Sequence, residues 1–144
     1  MTDRTTFEAY IKVLQDQLRV TERLIVLENR LAEYASANRT AELESLVRES
    51  QPDLMQFRGT DIRRGKLHQA LGFGSRHLPE ILTMLSPEDA AELRPVAEAL
   101  TSAASRLQEA QNTAERIMKV RLNDVNTVIA LRSDIPRAFQ GAKA

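Results

Sequence analysis

Few side chains in this chain have the types and spacing that chemistry needs. There are two histidines, His68 and His77, and no cysteine. The pair straddles a Gly72-Phe73-Gly74 turn, and two imidazoles without further ligands do not close a zinc tetrahedron. No Glu-x-x-His pair of the di-iron bundle type occurs. The serines fall in caps, turns and helix faces, away from any strand-turn-helix elbow that would expose a nucleophile. Gly72-Phe73-Gly74 lacks the third glycine and the preceding strand of a phosphate loop. Carboxylates are spread along helical faces beside basic partners. Both histidines therefore read as surface residues, and the chain offers no catalytic residue, no metal site and no cofactor site.

One charge cluster stands out. Arg58, Arg63, Arg64, Lys66 and Arg76 fall together with only Asp61 against them. Nucleic-acid binding would want interleaved aromatics and a basic surplus. Only Phe57 and Phe73 lie near, and 20 basic residues balance 20 acidic ones. The cluster reads as a solvated face, with Arg64 anchoring the turn, and no nucleic-acid partner is expected.

The elements around these residues are helical. Aromatics are 4% of the 144 residues, Trp is absent, and Gly and Pro number five each. Ala, Leu, Glu, Arg and Gln dominate, which favours long helices over sheet. The start, Met-Thr-Asp-Arg-Thr-Thr, lacks the basic and apolar segments of a signal peptide. No apolar run approaches the roughly 18 residues of a membrane span. Cytoplasmic location without membrane insertion is the expectation.

A first helix is predicted over about 4–35. Phe7, Ile11, Leu14 and Leu18 start its stripe, which breaks near Thr21 and resumes at Leu24, Leu27, Leu31 and Tyr34. The break predicts a rotated apolar face. A link over 36–40 follows, with Thr40 as a cap. The second helix, about 41–71, carries Leu43, Leu46, Val47, Leu54, Phe57, Ile62, Leu67 and Leu71 on its apolar side. Pro52 should kink it, or split it into two shorter helices at Gln51. Gly59 and Gly65 weaken it by about 1 kcal/mol each relative to Ala. Gly72 suits a left-handed cap, Phe73 a plug, and a short helix over about 76–85 seals the bundle end.

The longest element is predicted over about 87–132. Ser86 caps it, Pro87 opens it, and Glu88 and Asp89 suit its positive end. Leu93, Val96, Leu100, Ala103, Leu107, Ala110, Ala114 and Ile117 form its stripe, and Pro95 should bend it. The expected fold is an all-α, elongated antiparallel bundle or coiled coil of three long helices and a short capping helix. It forms one domain over 1–132, with a flexible tail over 133–144. The long helix outlasts the first two, so nothing within one chain is left to cover its stripe beyond Ile117. Met118, Arg121, Leu122, Val125, Val128 and Ile129 are thus the predicted partner-binding residues, since a long exposed apolar stripe marks an interaction site.

The stretch from Glu49 to Phe73 resembles the flagellar export chaperones of the FlgN family. Gln51-Pro52, Arg64 with Leu67, and Leu71-Gly72-Phe73 closing the helix carry the likeness, and Asn112 matches an Asn common in that family's last helix. Glu115 stands where a second Asn is frequent, and Pro95 interrupts a helix that is usually unbroken. The likeness implies a chaperone without catalytic activity or cofactor. It implies binding of the C-terminal helices of hook-associated (hook–filament junction) proteins, protection from early assembly, and delivery to flagellar export gate components. The alternative from the residues alone is a structural coiled coil that forms a homodimer through its long last helix.

Overall fold

The computed structural model describes residues 3–122, and every element among them is a helix. In chain order these are α1 (Arg4–Ser36), α2 (Thr40–Glu49), α3 (Gln51–Leu71), α4 (Leu78–Met84) and α5 (Pro87–Leu122). The predicted helix beyond Leu122 and the tail over 133–144 lie outside the described residues.

The first helix, not the longest, is the hub. α2, α3 and α5 each pack on α1, whereas α3 and α5 make no close backbone approach to each other. Arg4 pairs with Asp89 (3.6 Å) and Glu92, so α1 and α5 start together and run parallel. One core holds Phe7, Tyr10 and Leu14 with Leu93, Val96 and Leu100. The other holds Val20, Leu24, Leu27 and Leu31 with Leu107, Ala114 and Met118. α3 runs the other way along α1: Arg64 meets Gln17, and Asp53 meets Arg23 at 3.0 Å.

Buried positions on α1 include Phe7, Tyr10, Leu14, Gln17, Thr21, Leu24, Glu28, Leu31 and Ala35. This is an unbroken 3-4 repeat. The expected rotation near Thr21 is therefore absent. Gln17, Thr21 and Glu28 occupy seam positions, and their polarity disguised the repeat.

Other departures have equally local causes. The second helix is split, with a one-residue break at Ser50, whose hydroxyl donates to the Val47 carbonyl at 2.7 Å. Pro52 falls in the first turn of α3, where a missing N–H costs no helical bond. Thr40 is already helical, and Arg39 takes the cap position without capping the backbone, its side chain pairing with Glu42 instead. Ile62, expected in the core, is 60% exposed, because Thr60, Arg64 and His68 form the inward face of α3 instead. Pro95 sits inside α5, which continues as one helix through it.

The ends behave as predicted. Ser86 Oγ accepts from the Asp89 N–H at 3.2 Å. Gly72 is left-handed (φ 77°), and the Phe73 N–H reaches back to the His68 carbonyl at 2.8 Å. Phe73 is buried, and α4 lays Leu78 and Ile81 beside it in the same core.

Candidate functional site

Two regions were singled out by sequence, the motif from Arg64 to Phe73 and the far end of the long helix. They turn out to differ in kind.

The motif is interior. Arg64 is only 4% exposed and donates from Nη1 to Gln17 Oε1 at 2.9 Å. Its guanidinium also reaches the Tyr10 hydroxyl. His68, expected on the surface, is buried. Its Nδ1 lies 3.1 Å from the Gly74 carbonyl, and its Nε2 lies 2.9 Å from the Tyr10 hydroxyl. A carbonyl can only accept, so the proton sits on Nδ1 and Tyr10 donates to Nε2. Phe73 closes the group, with ring centroids 5.5 Å from Tyr10 and 5.8 Å from His68. Leu67 and Leu71 are half-buried against the same core.

Burial sets the electrostatics of this group. It pushes the Tyr10 hydroxyl up to about 12, against the opposing pull of the Arg64 charge. It holds the His68 imidazole below its ordinary value; the Gly74 carbonyl opposes this, and the Arg64 charge adds to it. It also lowers Arg64, which Tyr10 and Asp61 partly offset. These groups tie α1, α3 and the turn before α4 together. Gln17, Tyr10 and His68 were missed because polar residues were assigned to the outer face. Their seam spacing, Tyr10, Gln17 and Leu24 on α1 with Thr60, Arg64 and His68 on α3, was the available signal.

The long helix's end is different. Met118 is fully buried in the core with Leu27 and Leu31. The bundle thus covers one residue more than length alone suggested, because Met118 joins the core that α1 builds with Leu27 and Leu31. Ile117 is half-buried and lines a shallow hollow with Ala32, Glu33, Ser36 and Ala37 at the end of α1. Val120 is 72% exposed, Arg121 is exposed, and Lys119 pairs with Glu115 at 3.0 Å. Leu122 is the last described helical residue; Val125, Val128 and Ile129 lie outside the described residues. Asn112 is exposed on α5.

Among the described residues no group of His, Asp and Glu could hold a metal, and no helix is long and apolar enough to cross a membrane. The described residues thus form an all-helical bundle with a polar group locked inside it. A family model described as FlgN protein matches residues 1–136, and the chain belongs to the FlgN family of flagellar export chaperones. No curated protein and no solved structure matches it.

Proposed function

We propose that this chaperone binds the amphipathic C-terminal helices of hook-associated (hook–filament junction) proteins along the far end of its last helix, and carries them to the flagellar export gate. The observation that supports this reading is an apolar seam on α5 that is still buried near the end of the described helix. Met118 is interior and Ile117 is half-covered. In the sequence, Leu122, Val125, Val128 and Ile129 continue the apolar spacing. A junction-protein helix laid on that stripe uses the apolar face meant for its neighbours in the filament, by helix-in-groove recognition. Arg121 sits at the rim and sets register more than affinity.

The test is calorimetric titration of the full chain with the terminal helix of a junction protein. Each buried aliphatic side chain is worth about 1.5–3 kcal/mol, so Leu122→Glu with Ile129→Glu should weaken binding by about 100-fold or more. Unchanged affinity in a folded double variant would move the site elsewhere on the bundle. A chain that instead forms a concentration-dependent dimer, lost in the same variant, would favour the homodimeric coiled coil. Truncation belongs after Leu122, because ending at Ile117 removes Met118 from the core.

A further inference from the structure

We infer that the outward face of α3 is a second docking surface, for an acidic amphipathic helix of another protein. Met55 and Ile62 are 68% and 60% exposed, seven residues apart and so on one face, directly opposite the buried Phe57, Thr60 and Arg64. Gly59 lies between them on that face. Nothing among the described residues accounts for it: its backbone is ordinary helix, and a Cβ there would meet no atom within 4 Å. A mid-helix glycine weakens its helix. It also opens a flat track that lets a second backbone come close.

Charge selects the occupant. Arg63 and Lys66 are exposed beside this face, with Asp61 the one exposed acid on α3 between Met55 and Gln69, in a chain of zero net charge. Arg63 is 3.9 Å from Asp16 and leans toward α1, which leaves Lys66 in line with Met55 and Ile62. Two copies crossing at Gly59 would bring like charges together, so a second copy is disfavoured. A helix with an apolar stripe flanked by Asp or Glu is complementary. This surface is on a different helix from the α5 stripe, so the chaperone could hold two partners at once.

The probes are two synthetic helical peptides, each about 20 residues long to sustain a helix. They share one leucine face; one is flanked by glutamates, the other by lysines. Titrated into the full chain, the glutamate peptide should bind saturably and shift the amide signals of residues 55–69. The lysine peptide should bind about tenfold more weakly or worse. Gly59→Leu should raise the melting temperature, because leucine favours helix, and weaken the glutamate peptide about tenfold by blocking close approach. Leu122→Glu with Ile129→Glu should leave this binding at the parent level, whatever it does to the junction-protein helix. Equal binding of both peptides, shifts confined to α5, or full affinity in Gly59→Leu would each overturn the inference. So would a concentration-dependent dimer that Ile62→Glu dissolves.

Discussion

Replacing Arg64 by Met tests whether the interior group is a lock. Met keeps most of the buried stem and removes the guanidinium. The lost bond to Gln17 Oε1, 2.9 Å long and charge-assisted, is worth about 1.5–3 kcal/mol, and stranding that buried oxygen costs about 1–3 kcal/mol more. The terms overlap, so about 2–4 kcal/mol in total is expected. At about 2–4 °C per kcal/mol for a chain of this size, the melting temperature should drop by about 4–16 °C. Gln17→Leu alone should be comparably damaging, because it takes an acceptor from the buried Arg64 guanidinium, a loss partly eased by Tyr10. The combination Gln17→Leu with Arg64→Met removes both ends together. It also removes Gln17 Nε2, a buried donor with no hydrogen-bond partner. The double variant should therefore return to within about 1 kcal/mol of the parent, more stable than either single variant. Thermal and denaturant unfolding followed by circular dichroism measures all four corners of the cycle. If the two single costs simply add within about 0.5 kcal/mol, the pair does not act as a unit and the reasoning fails.

His68 holds its proton more weakly in the folded chain than an ordinary histidine. As pH falls below about 6.5 the unfolded chain gains a proton first, so stability should decline until the folded imidazole titrates too. Urea midpoints between about pH 7.5 and 5 should slope less in His68→Gln than in the parent, and equal slopes would contradict the burial argument. At the alkaline end, folded Tyr10 ionises near about 12 against 10.0 for the ordinary phenol, so stability should fall as pH rises through that interval. Tyr10→Phe should remove that fall, measured by unfolding at fixed alkaline pH. Met118→Ala should cost about 2–5 kcal/mol by opening the core. Val120→Ala, at an exposed position, should stay within about 0.5 kcal/mol, and similar losses for both would mean the inward face of α5 is misassigned.

The legible parts of this fold were those where one local signal decides. Gly72 at the end of α3, Ser86 before α5, and Phe73 after the turn each obey a rule that needs no knowledge of neighbours. The α1 seam was harder. Gln17, Thr21 and Glu28 look like surface residues, and only the facing helices reveal that they are buried. α3 was hardest, because it presents Thr60, Arg64 and His68 inward and Met55 and Ile62 outward. Counting apolar residues therefore placed Ile62 in the wrong layer. The motif from Arg64 to Phe73 was recognisable, but its role was not, since Arg64 serves α1 rather than the adjacent turn alone.

The division between lock and stripe has a physical reason. A chaperone that lends an apolar surface to a partner must not close over it or pair through it. An interior of hydrogen bonds with fixed geometry specifies one packing of α1 against α3 more strongly than leucines alone would, as a single buried polar residue specifies coiled-coil register. Arg64 can meet Gln17 and Tyr10 in one register only, while a one-turn slide would put its charge against Leu14 or against Thr21, whose hydroxyl already donates to the Gln17 carbonyl. With the helices held in place by polar contacts at one end of the bundle, the seam at the other end can stay apolar up to Met118. On the proposed reading, this keeps the stripe that follows free for a partner. The register variants above test this directly. If Arg64→Met with Gln17→Leu keeps stability yet shifts the exposure of Ile117 and Val120, read by hydrogen exchange along α5, the polar group sets register rather than stability. If exchange along α5 matches the parent, apolar packing alone sets the register, and this account of why the motif is polar fails.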